Sequence, residues 1–164
     1  MIRRAVPADG DALAETFNAS FETLLDFLPD LHTSKERSRF ITETVPRDHE
    51  LWVAEEDGRV VGLAAIGADT LGHIYVHPTH QGHGVGTALL DKTKELRPDG
   101  FTLWTFQQNE RACRFYERHG LRAVEYGDGS GNEEGVPDVR YEWRPEPSSP
   151  TSSSAGAARE SSGR

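Results

Sequence analysis

Three glycines occupy every second position in the stretch HPTHQGHGVGTALL, and an apolar helical pattern follows them at once. Gly82, Gly84 and Gly86 come where a predicted strand, GHIYVH, passes into a predicted helix. The free N–H groups of a helix N-terminus converge there, the helix dipole adds positive potential, and glycine lets an anion come close to the backbone. The stretch therefore predicts a backbone site for a phosphate-like anion.

The spacing of these glycines distinguishes three kinds of phosphate loop. A Walker loop ends in Gly-Lys-Ser/Thr, whereas Gly86-Thr87 has no lysine. A dinucleotide fingerprint needs glycine or alanine where this chain has Thr87 or Leu89. The third pattern, Gln/Arg-x-x-Gly-x-Gly/Ala, fits residues 81–86. A tight turn without a ligand is the remaining alternative, which three alternating glycines disfavour.

The third pattern is that of the GCN5-related N-acetyltransferases, the GNAT superfamily, which the chain resembles over nearly all of residues 1–144. IYVHPTHQGHGVGTALL resembles the strand–loop–helix unit of the family, and WTFQQNERACRFYERHGLRAV resembles its next block, with Asn109, Ala112, Phe115 and Tyr116 in register. IRRAVPADGDALAETF and LWVAEEDGRVVGLAAI are similar to its N-terminal part. The resemblance implies an α/β (α+β) acyl-CoA N-acyltransferase fold, with a mixed, mostly antiparallel sheet of about seven strands flanked by about four helices.

The same resemblance implies an enzyme that moves an acetyl group from acetyl-CoA to a primary amine by direct attack in a ternary complex. The backbone N–H of Ile74 is the implied oxyanion donor, and the Tyr116 phenol is the implied general acid. A tyrosine packed in the core with a bonded hydroxyl is the alternative for Tyr116. A non-catalytic module that binds or senses acyl-CoA is the rival function. The residues implied to bind coenzyme A are Tyr75, Val76, Gln81, Gly82, His83, Gly84, Val85, Gly86, Thr87, Asn109, Ala112 and Tyr116.

The general base is left open by the sequence. Relatives often carry a carboxylate or histidine near the start of the strand before the glycine loop, where Thr70 and Gly72 are the first positions to inspect in this chain. A one-residue shift turns a strand side chain to the opposite face, so neighbouring residues do not substitute safely. An amine that arrives partly neutral needs no base. The candidates are Asp69, His73 and the acids of the 128–138 loop, Glu133, Glu134 and Asp138.

The acceptor is expected to be a small-molecule amine or a protein amino group that enters between the first helices and the late loop. Those regions supply acids and apolar walls, namely Glu22, Asp26, Asp30, His32, Phe21, Phe27 and Trp52. An ordinary solvated acidic face is an equal alternative.

The histidines and the lone cysteine are weighed as possible metal ligands and reactive groups. His73 and His77 would lie roughly 13 Å apart on one strand face, and no cysteine accompanies the histidines, so no metal site is expected. We expect His73, His77, His80 and His83 around the cofactor entrance. Cys113 excludes an intramolecular disulfide and is expected to be a small buried apolar residue.

The elements that position these residues follow from periodicity and turn chemistry. Asp57-Gly58 predicts a two-residue hairpin between two apolar runs. FTLWTF, apolar at most positions, predicts an interior strand covered on both faces. The other predicted elements are strands at 2–5, 121–126 and 139–143, and helices that begin at Pro7–Asp9, span 34–44 and 84–96, and run from an Asn109 N-cap to about His119.

Length and charge bound the class of protein. A chain of 164 residues predicts one domain, here 1–144, followed by a disordered Ser/Pro/Ala/Gly-rich tail at 145–164. A net charge of -9 argues against nucleic acid as a partner. Without an apolar run of about 20 residues or a signal peptide, we expect a cytoplasmic protein that does not enter a membrane. Members of the family are commonly homodimers, and nothing in the sequence fixes the oligomeric state.

Overall fold

The computed structural model describes residues 1–145, so the predicted tail lies outside the described residues except for Pro145. Every predicted element is present in the described part, which has seven strands and four helices. The strands are β1 Ile2–Arg4, β2 Glu50–Glu56, β3 Arg59–Ile66, β4 Leu71–Val76, β5 Phe101–Phe106, β6 Arg122–Gly127 and β7 Asp138–Trp143, and the helices are α1 Gly10–Glu22, α2 Ser34–Arg39, α3 Val85–Leu96 and α4 Glu110–Arg118.

The ends of these elements follow from local chemistry. α2 begins at a capping box, in which the Thr33 hydroxyl accepts from the Glu36 N–H, and it continues as a wider π-helical turn over Phe40–Thr44. Asp57 and Gly58 join β2 to β3 with φ values of 51° and 77°, as a tight hairpin requires. Gly120 ends α4 with a φ of 88°.

The strands form two antiparallel sheets, in the orders β1-β2-β3-β4 and β5-β7-β6. β4 and β5 meet only at a parallel bridge between Thr70 and Thr102, where the Thr102 N–H donates to the Asp69 carbonyl at 3.0 Å. Beyond that bridge the two strands share no ladder. One edge of each sheet is therefore left open toward the other.

The first sheet is packed on both faces. Leu63 and Ala65 of β3 belong to a core with α1 and the chain after α2, whereas Ala64 and Ile66 belong to a second core with α3 and α4. α3 comes close because Gly62 has no side chain: a Cβ there would lie 2.9 Å from Val85 Cγ1. Each buried leucine or isoleucine contributes about 1.5–3 kcal/mol.

The prediction that β5 is an interior strand was wrong. β5 is the end strand of its sheet, and its Trp104 is 49% exposed. Phe101 and Leu103 face the core, while the run that follows them borders the gap beside β4. An apolar run also suits a strand whose outer side lines a cleft.

No helix within residues 1–145 is long and apolar enough to cross a lipid bilayer.

Candidate active site

A cleft of about 870 Å³ opens where the two sheets separate. β4 forms one wall and β5 the other, while the loop after β4, the end of α1 and the first turns of α4 close it. The cleft brings together nearly all the predicted site residues, namely Ile74, Tyr75, Val76, Gln81, Gly82, Gly84, Gly86, Thr87, Asn109, Ala112 and Tyr116. Of the coenzyme residues, His83 and Val85 do not line it.

The backbone of β4 presents Ile74 and Val76 to the cleft. The His77 N–H donates to the Val61 carbonyl at 2.8 Å, so the peptide groups at 77 and 75 face β3 and those at 76 and 74 face the open edge. The Val76 carbonyl already accepts from Ser20 Oγ at 2.7 Å and from Gln81 Nε2 at 3.1 Å. Ile74 is thus placed to offer an N–H to the cleft.

The glycine loop supplies further donors. Gly82 and Gly84 have φ values of 81° and 84°, in the left-handed region, and Gly84 caps α3. Within residues 1–145 the N–H groups of 82–87 have no hydrogen-bond acceptor. A Cβ at Gly86 would lie 3.3 Å from the Phe115 ring. The loop therefore forms a cradle of free N–H groups that fits a diphosphate.

Two of the predicted coenzyme residues, His83 and Val85, have side chains that do not line the cleft. The Val85 side chain is buried against the sheet, and the His83 ring lies 6.2 Å from that of His80. The Gln81 side chain fixes the loop, since it also accepts from Arg111 Nη1 at 2.7 Å. The cradle is thus made of main chain.

The Thr87 hydroxyl has a partner on α4. Its Oγ1 lies 3.1 Å from His119 Nε2, and His119 Nδ1 lies 2.8 Å from the Phe115 carbonyl. The carbonyl can only accept, so Nδ1 carries a proton and Nε2 of the neutral ring accepts from Thr87. The hydroxyl must turn if it is to reach a phosphate.

α4 presents Tyr116 to the cleft. Asn109 starts the helix, because its Oδ1 accepts from the Ala112 N–H at 3.2 Å while its Nδ2 stays available. Tyr116 is 6% exposed, and its hydroxyl has no hydrogen-bond partner among the described residues. Burial first, and the nearby Tyr75 and Cys113 second, raise the pKa of Tyr116 well above its ordinary value. The phenol stays protonated and is free to donate.

Of the predicted base candidates, only His73 lines the cleft. Its ring lies 5.4 Å from that of Phe40, and burial, together with the nearby His49, lowers its pKa to about 4. Asp69 is exposed at the β4–β5 bridge. Because of this low pKa, His73 is neutral near pH 7 and a weak proton acceptor.

Burial raises the pKa of the neighbouring Tyr75 to about 12, with a smaller contribution from Glu134.

The expected acceptor end is built from the segment after α1 and the β6–β7 loop. His32 Nε2 lies 3.1 Å from both Glu133 carboxylate oxygens, which joins the two segments and raises the pKa of His32. The Phe27 ring lies 6.3 Å from that of Phe106 in the cleft. Phe27 is thus the one predicted apolar wall residue that lines the cleft.

Trp52 and Phe21 were wrongly placed at that end. Trp52 turns to the α3 side of β2, where Lys92 Nζ lies 5.0 Å from its ring, and Phe21 packs beneath the buried Arg37 guanidinium at 5.2 Å. Glu22, Asp26 and Asp30 do not line the cleft. Strand alternation and the path of a loop decide these positions, and neither is visible in residue type.

Two further histidines lie away from the cleft, contrary to expectation. His77 Nε2 is 3.6 Å from Glu15, and His80 Nε2 is 3.8 Å from Glu56. Within residues 1–145 no group of three or more His, Cys, Asp or Glu side chains could hold a metal ion. Cys113 is half-buried, with its Sγ 3.8 Å from the Phe106 carbonyl.

Sequence reasoning missed His49. Its imidazole lies over Gly72: a Cβ built at Gly72 would come 2.5 Å from His49 Nε2. The only signal in the sequence is Gly72, a glycine at a strand position where relatives often carry the side chain of the general base.

Residues 47–122 match the family model described as an acetyltransferase (GNAT) domain. The chain is 38% identical over 77 residues to mycothiol acetyltransferase of Nocardiopsis dassonvillei, a match that covers 44% of this chain but only 23% of that protein. It is 27% identical over 124 residues to the peptidyl-lysine N-acetyltransferase YjaB of Salmonella typhimurium, covering 75% of this chain and 83% of the relative.

Solved structures share the fold. Apo YjaB from Escherichia coli superposes with a TM-score of 0.73 at 22% identity, covering 89% of this chain and 98% of that one. PaiA N-acetyltransferase from Thermoplasma acidophilum, solved with coenzyme A, gives a TM-score of 0.69 at 18% identity, covering 88% and 98%. These likenesses confirm the predicted mixed α/β GNAT fold. Residues 47–122 of this chain thus match a GNAT acetyltransferase domain, and the described chain shares the GNAT fold.

Proposed function

We propose that the protein transfers an acetyl group from acetyl-CoA to a primary amine. One observation carries the proposal: the cleft between the sheets has a cradle of free N–H groups at the glycine loop and an unpartnered, buried Tyr116 hydroxyl further in. A non-catalytic acyl-CoA sensor would need the cradle alone.

The residues present fit coenzyme A. The N–H groups of residues 82–87 would hold the pyrophosphate, and Asn109 Nδ2 and the open edge of β4 would bind the pantetheine arm. When bound, acetyl-CoA supplies an activated acetyl thioester with a thiolate leaving group. His83 and Val85 do not line the cleft, so the proposal assigns no role to their side chains.

The reaction needs charge stabilisation and proton transfer. The Ile74 N–H would stabilise negative charge on the acetyl oxygen, a type of contact worth about 10²–10³-fold in rate. Tyr116 would donate its proton to the leaving sulfur, since its raised pKa keeps the phenol protonated at neutral pH and its hydroxyl has no other partner among residues 1–145.

The acceptor is proposed to be an amine on a small molecule or a protein. YjaB is named for peptidyl-lysine, so a lysine side chain is the first acceptor to test. The test measures thiol release from acetyl-CoA with a lysine peptide, a peptide with a free α-amine and a panel of small amines. Coenzyme binding without amine-dependent thiol release would favour the sensor instead.

Replacing Tyr116 with phenylalanine tests the acid directly. Tyr116→Phe keeps the ring and removes the proton, so kcat should fall by about 10²-fold or more while the Kd for coenzyme A stays within about twofold. Tyr126→Phe, at a 70% exposed ring, is the matched control and should leave both unchanged. Unchanged turnover in Tyr116→Phe would remove its assigned role.

A further inference from the structure

The space over Gly72 is filled by the side chain of His49, the residue that directly precedes β2. β4 has a bulge here, since Ala65 pairs with His73 and Ile66 with Leu71, which leaves Gly72 unpaired. A Cβ at Gly72 would lie 2.5 Å from Nε2 and 2.8 Å from Cδ2 of His49, and one at Gly67 would lie 3.4 Å from the same ring. The His49 ring thus crosses the end of β3 and ends where a side chain of residue 72 would begin.

The neighbouring Asp48 carboxylate determines which ring nitrogen of His49 carries the proton. Asp48 Oδ1 lies 2.6 Å from His49 Nδ1. A carboxylate only accepts, so Nδ1 carries the proton and the lone pair of the neutral ring is on Nε2, the atom over Gly72. Gly72 lines the cleft, and the His49 side chain is 21% exposed, so a proton taken up there can pass to solvent.

Within residues 1–145, each charged group near the ring already has a partner. Asp48 lies next to the ring on the same segment, and the His73 ring on β4 lies 6.5 Å from the His49 ring. Arg97 is also near: it donates to the Gly67 carbonyl at 2.7 Å and pairs with Glu50 at 3.2 Å. His73 is held neutral by burial. Within residues 1–145, His49 thus directs its Nε2 at Gly72, a residue that lines the cleft, and its side chain is open to water.

We propose that His49, oriented by Asp48 and placed in the space that Gly72 leaves, is the general base for the acceptor amine. The inference rests on the proposed function. The ammonium gives one proton to Nε2, directly or through one water, and the neutral nitrogen bonds to the acetyl carbon as the carbon–sulfur bond breaks. Tyr116 protonates the sulfur, the second proton lost by nitrogen replaces the one Tyr116 gave, and His49 releases its proton to solvent.

The first experiment is a pH profile of kcat/KM for the best amine of the panel. At about pH 7, His49→Gln should lower kcat/KM by about 10²-fold, with the KM for acetyl-CoA within about twofold. The loss should shrink as the pH approaches the pKa of the amine, about 10.4 for lysine, because the amine is then already neutral. A loss of equal size at every pH is what a merely structural residue would give, and it would overturn the proposal.

A substitution at Gly72 can test whether the activity lost in His49→Ala is restored. In His49→Ala the space over residue 72 is empty, and adding Gly72→Asp places a carboxylate there from β4 itself. The double variant should recover at least about tenfold of the lost kcat/KM. Gly10→Asp, at a glycine with open space for a Cβ and far from this pocket, is the control in the same His49→Ala background and should recover none. A double variant no better than His49→Ala would contradict the assignment.

A second readout needs no substrate and no variant. In wild-type protein labelled with ¹⁵N-histidine and held at alkaline pH, the ring nitrogen shifts of His49 should report a proton on Nδ1 and none on Nε2. A proton on Nε2 would overturn the proposal. Absence of amine-dependent thiol release in the wild type would instead contradict the proposed function, whereas an active wild type with an unaltered His49→Gln profile contradicts this inference alone.

Discussion

The His73 ring lies among aromatic side chains, 6.1 Å from the Phe17 ring and 5.4 Å from the Phe40 ring, and burial lowers its pKa from 6.5 to about 4. Between those two pH values the unfolded chain binds a proton that the folded chain does not. The free energy of unfolding therefore falls as the pH drops from 6.5 toward 4, by about 3 kcal/mol from this group.

His73→Phe should remove that part of the acid sensitivity. Urea unfolding at several pH values should show a wild-type loss on acidification that exceeds the loss in His73→Phe by about 2–3 kcal/mol. His83→Gln, at an exposed ring on the glycine loop, serves as the control and should behave as wild type. Equal slopes in wild type and His73→Phe would show that the ring is not desolvated.

Residue type alone located one half of the site. The glycines lie between β4 and α3, Asn109 and Tyr116 lie at α4, and the family resemblance implied that these two units converge. The position of His49 depends on a ring from the residue before β2 reaching the end of β3 and Gly72 of β4, and no sequence offset encodes it. Trp52 was misplaced for a related reason: its side chain turns to the opposite face of the sheet.

At the scale of elements, Gly84 connects the loop to α3. Its φ of 84° costs a side-chain-bearing residue about 1–2 kcal/mol, although the space around a Cβ there is open. Gly84→Ala should therefore lower the free energy of unfolding by that amount and weaken coenzyme A binding, measured by urea unfolding and calorimetry.

Gly10→Ala is the control for this change. Gly10 has a helical φ of -52° and open space for a Cβ, so alanine should stabilise the protein by about 0.4–1 kcal/mol without changing coenzyme affinity. If Gly84→Ala were as stable as wild type, the loop would be able to relax out of the left-handed conformation.

Elements with strong local chemistry were predictable. Asp57-Gly58 and the Asn109 cap select their turn and helix start through backbone conformation and one hydrogen bond. The placement of β5 at the end of a sheet was not predictable, because strand order depends on partners distant in the chain. The residue pattern of an apolar strand is the same whether the strand borders another strand or a cleft.

At the scale of the whole molecule, the cleft separates two sheets that share one bridge and a common core. A ligand that binds both walls should stabilise the fold by about 2.7 kcal/mol at 100 times its Kd, which raises the Tm by about 5–10 °C. Coenzyme A should produce this shift in a thermal melt, and pantetheine, which lacks the pyrophosphate, should produce less. A larger shift with ATP or NAD would contradict the assignment of the loop.

The sequence by itself predicted the resemblance to the GNAT acetyltransferases, the glycine-rich anion cradle and the position of Tyr116, because each depends on residues that are near one another in the chain. It also excluded a Walker or dinucleotide loop by spacing. Only the tertiary structure decided where the cleft opens, which base candidate reaches it and what fills the space over Gly72. Those outcomes depend on which strand edges remain unpaired and on side chains that cross between strands, and the chain settles them only when the two sheets pack together.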